Sequence, residues 1–265
     1  MRIEVVTLFP ELIHQAASWG VLGRAQERQL LSVGTEDPRS HVHDVHKTVD
    51  DRPYGGGPGM VLKPEPLTAA IAAAAARCPA GSPRVYLSAQ GPRFNQARAQ
   101  ALSRMPGLVL VAGRYEGIDE RVIQTCIDEE LSVGDYVLSG GELPALLVID
   151  AVARLLEGAL NDARSSIEES FAGGLLDWPH YTRPEEFAGL RVPEVLVSGD
   201  HARIRKWRLK QALGKTWRVR PDLLLAAAGQ AGEGQPDAAD KAGWAGLLNE
   251  FLQDKQDPKG SANED

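Results

Sequence analysis

Cysteine is scarce in this 265-residue chain, and an overall excess of positive charge is missing. The two cysteines, Cys78 and Cys126, are far apart and fit no metal-ligand spacing, which argues against a disulfide framework and a cysteine-based zinc site. Scarce cysteine suits a reducing compartment, and we expect a cytoplasmic protein. The formal net charge of −7 gives no general signal for nucleic acid, so contact with RNA requires a local basic patch.

Long hydrophobic runs and the common phosphate-binding motifs are also absent. The longest apolar run, near Leu143–Ile149, is far too short to cross a membrane, and the N-terminus carries no cleavage signature, so we expect no membrane association. The sequence has no G-x-x-x-x-G-K-[ST] loop, and no G-x-G-x-x-G follows the first predicted strand. These absences argue against a nucleotide hydrolase, a Rossmann dehydrogenase and an ordinary Rossmann methyltransferase.

Strand and helix patterns alternate over residues 1–160, which predicts an α/β domain with a parallel sheet. Apolar and β-branched runs predict strands at Arg2–Leu8, Arg84–Ser88, Leu108–Ala112 and within Leu131–Leu138. The predicted helices are Glu11–Ala17, Pro64–Arg77, Asn95–Arg104 and Asp119–Cys126. A strongly apolar helix follows, where Ser139 and Glu142 have the spacing of a capping box.

The pattern changes after Leu160, which predicts a second region. Residues 161–174 are polar and contain glycine, so they are interpreted as an interdomain linker. Residues 175–254 are predicted to form a helical domain, and 255–265 a disordered tail.

Glycine-bearing segments follow three predicted strands, at Tyr86–Gly91, Ala112–Gly117 and Val133–Pro144. Ligands of open α/β sheets bind outside the carboxyl ends of strands, and glycine there lets backbone groups approach a ligand closely. Ordinary turn glycines are the alternative interpretation. A fourth glycine-rich segment, Asp50–Met60, is predicted to be a loop without regular structure.

A basic run between Arg203 and Arg220 contains no acidic residue and supplies the local patch. Arg203, Lys206 and Lys210 share one face of a predicted helix, where they are expected to contact RNA phosphates. A solvated basic face is the alternative. Trp207 and Trp217 are expected to be core residues rather than base-stacking platforms.

Several long blocks together resemble the bacterial tRNA (guanine-N1)-methyltransferase family, from Met1 to about Leu225. They are RPYGGGPGM (Arg52–Met60), GRYEGIDER (Gly113–Arg121), SVGDYVLSGGELPA (Ser132–Ala145), LLDWPHYTRPEEF (Leu175–Phe187) and GDHARIRKWRLKQALGKTW (Gly199–Trp217). The resemblance implies the SPOUT fold, an α/β domain with a deep trefoil knot followed by a small helical domain that binds tRNA. It also implies transfer of a methyl group from S-adenosylmethionine to N1 of the guanosine 3′ of the anticodon, at tRNA position 37.

The resemblance carries over site residues by position. The methyl donor would be bound by Tyr86, Leu87, Ser88, Gly113, Tyr115, Glu116, Val133, Gly134, Asp135, Tyr136, Val137, Leu138, Gly140, Gly141 and Pro144. The substrate would be bound by the loop residues Asp50, Arg52, Tyr54 and Gly59 and by the basic residues Arg203, Lys206 and Lys210. A homodimer with composite active sites is also implied.

The catalytic base is where this chain departs from the family pattern. The family has an Asp before a Ser-Phe pair in the linker, whereas Glu169 precedes Ser170-Phe171 here, and the neighbouring Glu168 is a rival for the role. Arg154 would stabilise the charge that develops on guanine O6. The Glu at the base position also supports an alternative, a catalytically inactive knot-fold protein that binds RNA.

Metal binding is weakly supported by the sequence. His41, His43 and His46 lack ligand partners at suitable spacing and are interpreted as surface or RNA-contacting residues, so no metal site is predicted. The resemblance suggests Mg²⁺, for which we find no cluster of ligands.

Overall fold

A computed structural model describes residues 1–160, 169–171, 173–229 and 238–256. The chain divides into two compact units, Met1–Ala163 and Arg164–Asp265. Glu168 and most of the segment predicted as a linker lie outside the described residues, as do 257–265 of the predicted tail. No helix among the described residues is long and apolar enough to cross a membrane.

The first unit is built on a five-stranded parallel sheet, which confirms the predicted α/β class. Its strands are β1 (Arg2–Val6), β2 (Ser32–Glu36), β5 (Arg84–Leu87), β6 (Gly107–Ala112) and β7 (Glu129–Leu131). They lie in the order β2-β1-β6-β5-β7, so β1 pairs with β2 on one side and with β6 on the other. Two short strands, β3 (Asp50–Asp51) and β4 (Val61–Leu62), form a separate antiparallel pair.

Helices cover both faces of this sheet. They are α1 (Pro10–Ala17), α2 (Gly20–Glu27), α3 (Pro64–Arg77), α4 (Gln96–Ser103), α5 (Glu120–Cys126) and α6 (Glu142–Ala153), with a 3₁₀ turn at Pro38–His41. All six residues of β6 are buried. Leu108 and Leu110 face the core beside α1, α2 and α6, whereas Val109 and Val111 face the core beside α3. Burial on both faces explains why this strand is continuously apolar rather than alternating.

Three sequence predictions for this unit need correction, the last of them only at its first two residues. The strand expected within Leu131–Leu138 ends at Leu131, because Gly134 has a φ of +151° and the chain turns there. The capping box is wrong: Gly141 is the N-cap of α6 without a side-chain hydrogen bond, and the Glu142 carboxylate binds elsewhere. The segment Asp50–Met60 begins with strand β3, whereas residues 52–60, which include its glycines, form a hairpin loop without helix or strand, as predicted.

The described part of the second unit contains a hairpin of β8 (Glu186–Phe187) and β9 (Leu190–Arg191), four helices and an irregular segment over residues 173–185. Its helices are α7 (Glu194–Val197), α8 (His201–Val219), α9 (Pro221–Gly229) and α10 (Ala238–Gln256). Asp200 caps α8 by accepting hydrogen bonds from the backbone N–H groups of Ala202 and Arg203. Helix α10 ends at Gln256, two residues into the segment predicted as a disordered tail.

Candidate functional site

A cavity of about 200 Å³ opens where β5, β6 and β7 reach their carboxyl ends. The segments after these three strands form its walls, together with the start of α6. The structure brings together almost every residue predicted to bind the donor: Tyr86, Leu87, Ser88, Gly113, Tyr115, Glu116, Val133, Gly134, Tyr136, Val137, Leu138, Gly140, Gly141 and Pro144. Asp135 is the exception, because its carboxylate points to solvent and pairs with Arg93.

Glycines let the backbone itself form the cavity walls. Gly141 donates its N–H to the carbonyl of Gly113 at 2.9 Å, so two of the segments lie side by side. A Cβ atom on Gly141 would lie 2.6 Å from the Cα of Ala112, and one on Gly113 would lie 2.9 Å from the ring of Tyr86. Neither position has room for a side chain, which explains the residue type at both.

Two tyrosines of the cavity are held in unusual settings. Burial raises the pKa of Tyr86, and the nearby negative charge of Glu130 adds to this, so the phenol stays neutral and its ring forms an apolar wall. Tyr115 has a φ of +61°, a left-handed conformation that a residue with a side chain seldom adopts. Such strain is often found where backbone is shaped for a ligand.

A buried carboxylate beneath the cavity was not identified from the sequence as part of the site. Glu142 is only 1% exposed, yet its two oxygens are both satisfied. Thr7 donates its hydroxyl to Oε1 at 2.9 Å, and Arg114 donates Nε–H to Oε2 at 2.9 Å. Arg114 also donates to the carbonyl of Ser139 at 3.2 Å and lies over the ring of Phe9. The network joins the residue that follows β1 to two walls of the cavity. Its members are far apart in the sequence, so the sequence alone does not reveal it.

The predicted substrate loop is anchored at one end and open at the other. Met60 accepts a hydrogen bond from the N–H of Glu116 at 2.9 Å, and a Cβ on Gly59 would collide with the Glu116 side chain. Arg52 and Tyr54 are exposed outside the cavity, and Tyr54 is fully exposed. Asp50 belongs to β3, where it pairs with Leu62.

Arg154 is the C-cap residue of α6, whereas the cavity is lined by residues at the N-terminal end of this helix. Pro144 lines the cavity, and ten residues of α-helix separate it from Arg154, a distance of about 15 Å along the helix axis. Leu143 and Leu147, one helical turn apart on this helix, are 57% and 42% exposed. An apolar stripe therefore faces solvent on the first unit.

In the second unit, the block that follows Glu169 is held by local hydrogen bonds. The Ser170 hydroxyl accepts the N–H of Asp177 at 2.9 Å, and the Asp177 carboxylate pairs with His180 at 2.8 Å. Arg208 of α8 lies 4.8 Å from the ring centre of Trp178. The residue that precedes Ser170, the predicted base Glu169, is half-buried.

The basic face of α8 differs from the expectation of an open phosphate-binding surface. Lys206 pairs with Glu250 at 3.2 Å, and Lys210 pairs with Asp254 at 2.6 Å. Both acids lie on α10, which the pattern within the basic run could not show. Arg203 is exposed at the first turn of the helix.

The two tryptophans of α8 differ from each other. Trp207 is half-buried, with its ring centre 6.4 Å from that of Tyr181. Trp217 is 45% exposed, so its assignment to the core was wrong.

The histidines of the N-terminal unit have ordinary surroundings. His41 pairs with Glu36 at 2.8 Å, and His46 lies in a turn organised by Asp44. Within the described ranges, no group of three histidine, cysteine or acidic side chains could hold a metal ion.

Comparison with known proteins matches most of the chain. A family model described as tRNA (Guanine-1)-methyltransferase TrmD matches residues 1–226. A tRNA (guanine-N(1)-)-methyltransferase of Methylococcus capsulatus is 61% identical over 224 residues, covering 84% of this chain and 89% of that protein. Proteins of the same name from Chromobacterium violaceum and Salmonella newport are 60% and 57% identical over 228 and 224 residues, covering 84% of this chain and 89% and 88% of their own lengths.

Proposed function

The chain belongs to the tRNA (Guanine-1)-methyltransferase family, and from this membership we propose how its residues methylate N1 of a guanine in tRNA. It is an enzyme, a tRNA (guanine-N1)-methyltransferase like the relatives that are 57–61% identical to it over 224 aligned residues. That identity disfavours the inactive RNA-binding alternative. The observation that carries the proposal is the backbone-walled cavity at the carboxyl ends of β5, β6 and β7.

The cavity fits S-adenosylmethionine as the methyl donor. The segments that contain Gly113, Gly140 and Gly141 line the cavity, and the missing side chains let them pack closely around it. Backbone amides and carbonyls in such walls can bind an adenine edge. The neutral ring of Tyr86 supplies an apolar wall. When bound, S-adenosylmethionine supplies the electrophilic methyl group.

Glu169 is the proposed general base. The N1 proton of guanine is weakly acidic and has to leave before the nitrogen lone pair can attack the methyl group, and a carboxylate can accept it. Glu replaces the family Asp with the same chemistry and one more methylene. The hydrogen bond from the Asp177 N–H to the Ser170 hydroxyl restrains the chain next to Glu169. Arg154 would place positive charge near O6 as the proton leaves N1.

The active enzyme is proposed to be a homodimer with composite sites. The cavity belongs to the first unit, Glu169 belongs to the second, and Arg154 lies about 15 Å along α6 from the cavity edge. A second subunit can supply what the first lacks, and two-fold symmetry then gives two equal sites. The exposed Leu143 and Leu147 on α6 offer apolar surface for such an interface.

The finer assignments follow the family. The segments between β6 and α6 are proposed to form a deep trefoil knot, and residues 175–254 a helical tRNA-binding domain after the linker 161–174. Asp50, Arg52 and Tyr54 would close over the target guanosine, 3′ of the anticodon. We also propose a cytoplasmic location, because the tRNA substrate is found there. No step is assigned to Mg²⁺, because the described residues offer no ligand group for it.

The test is methyl transfer from labelled S-adenosylmethionine to an unmodified tRNA transcript, with N1-methylguanosine identified by nucleoside analysis. A transcript with adenosine 3′ of the anticodon is the control, and it should stay unlabelled. Equal labelling of both transcripts would refute the target position, and no labelling of either would refute the function.

Composite sites have a separate test in mixed dimers. A Glu169→Ala subunit combined with a Gly141→Val subunit should recover partial activity, because one site of the mixed dimer then keeps both intact halves. Verified mixed dimers with no activity would show that each site is built within one subunit.

A further inference from the structure

Helix α10 covers the face of α8 that was expected to contact tRNA, and it does so with carboxylates. Lys206 and Lys210 are separated by one helical turn on α8, and so are Glu250 and Asp254 on α10. Each lysine is paired with one of these acids, at 3.2 Å and 2.6 Å. The match between the family model and this chain ends at residue 226, so α10 lies beyond the matched segment.

Apolar packing, rather than the ion pairs, holds α10 on α8. Phe251 is 3% exposed, and a Cβ on Gly214 would lie 2.3 Å from its ring. The missing side chain at Gly214 therefore makes the close contact possible. The carboxylates of Glu250 and Asp254 remain about half exposed at the edge of this contact. Lys206 is 59% exposed and Lys210 is 17% exposed. The exposed Lys206–Glu250 pair adds little to stability, and the apolar contact keeps the helix packed when both acids are neutralised.

We propose that Glu250 and Asp254 compete with tRNA phosphates for Lys206 and Lys210, so that α10 covers a latent RNA-binding surface and weakens tRNA binding. This inference rests on the proposed function, since it takes tRNA as the polyanion. A phosphate that reaches Lys206 has to displace a carboxylate, and the displaced carboxylate then repels the phosphate. This repulsion largely cancels the favourable interaction between the phosphates and the two lysines.

The competition predicts a distinct signature in salt dependence. Each phosphate contact contributes a slope of about −0.7 to −0.9 to the logarithm of affinity against the logarithm of salt concentration. In the double variant E250Q/D254N, the exposed Lys206 becomes fully available to phosphates, and the less exposed Lys210 becomes available in part. We expect tRNA affinity to rise about fivefold at low salt and the slope to steepen by roughly one to two.

A matched control changes the same net charge in the same unit. Glu185 and Glu194 are exposed, and among the described residues neither forms an ion pair. The variant E185Q/E194Q should leave tRNA affinity within about twofold of the wild type, because it removes two negative charges without releasing a cation for phosphate. Equal tightening in both variants would overturn the inference in favour of a general effect of net charge.

A double-mutant cycle then asks whether the lysines carry the gain. Lys206→Gln with Lys210→Gln should change affinity little in the wild type, but should abolish the tightening in E250Q/D254N. Tightening that persists without the lysines would overturn the inference. If the wild-type protein methylates tRNA but E250Q/D254N binds tRNA no more tightly, this inference alone is overturned. If the wild-type protein neither binds nor methylates tRNA, the proposed function is overturned as well.

Discussion

The cavity of the first unit is walled mainly by backbone, whereas the basic face of α8 in the second unit consists of side-chain charges. Ala112 and Gly113 lie directly against Gly141, so the shape of the cavity is set by residues that contact each other. On α8, the charge available to a ligand depends on Glu250 and Asp254, which are some forty residues away along the chain. A larger side chain is therefore the change that disrupts the backbone-walled cavity, whereas a change in neighbouring charge is the one that alters ligand binding at the basic face.

The largest effect should come from adding bulk to the cavity. Gly141→Val places a side chain against the backbone of Ala112, which cannot move without shifting the end of β6. We expect no measurable S-adenosylmethionine binding by calorimetry, with tRNA affinity retained. Gly173→Ala is the control, because a Cβ there meets nothing within 4 Å. Unchanged donor affinity in Gly141→Val would place the donor elsewhere.

The next largest effect should come from Glu169, the proposed catalytic base in the second unit. This residue belongs neither to the backbone-walled cavity nor to the basic face of α8. Glu169→Gln should keep donor and tRNA binding but lower kcat roughly 10²- to 10⁴-fold, because the amide has the shape without the basicity. Glu169→Asp should remain active. Single-turnover methyl transfer across pH measures both.

Glu168 provides the matched comparison, although it lies outside the described residues. Glu168→Gln should have the milder effect. If Glu168→Gln loses activity and Glu169→Gln does not, the base is one residue earlier than proposed.

Arg154 tests whether a single charge outside the basic face contributes to the chemistry. Arg154→Ala should lower kcat by about 10²-fold through loss of charge stabilisation at O6, with donor affinity unchanged. Arg154→Lys should recover part of this loss, since it keeps the charge. A change in KM for tRNA with normal kcat would make Arg154 a binding residue instead.

The buried carboxylate of Glu142 sharpens the comparison, because this side chain supports the backbone that forms the cavity walls. Glu142→Gln leaves Arg114 without its anionic partner, and we expect a loss of about 2 kcal/mol in the free energy of unfolding. Donor affinity should fall in parallel, since Arg114 also holds the carbonyl of Ser139. Denaturant titration and calorimetry measure the two quantities. Thr7→Val, which removes one neutral donor, should show a smaller loss in both.

The smallest effect is expected on the covered face of α8. The sequence predicts that Arg203, Lys206 and Lys210 contact RNA phosphates, but two of the three are paired with acids of α10. Neutralising Lys206 and Lys210 in the wild type should weaken tRNA binding less than about twofold. Neutralising Arg205 and Lys215, which are exposed, should weaken it more. The reverse ranking, measured by anisotropy, would restore Lys206 and Lys210 as direct phosphate contacts.

The sequence predicted those features that depend on neighbouring residues. Helix α3 was placed at its observed bounds, and glycines after apolar strands marked the cavity, because strand ends and missing side chains are local properties. Glu142 was misassigned as a cap because its partner Thr7 is 135 residues away. Lys206 and Lys210 were expected to be open for the same reason, since no pattern within α8 reveals the acids of α10. Asp135 was predicted to bind the donor because of its position in the sequence block, but its side chain points away from the cavity.

The interior position of β1, between β2 and β6, has a consequence for synthesis. This strand is synthesised before the other four strands of the sheet, and β2 can pair with one of its edges soon afterwards, but its other edge cannot pair until β6 is made. Roughly a hundred residues separate β1 from β6, and a ribosome adds them in roughly 5–20 s. Throughout that interval the nascent strand presents unpaired backbone, the kind of edge that recruits other chains. Long-range parallel pairing is also intrinsically slow, so we expect this unit to depend on chaperones more than its size suggests.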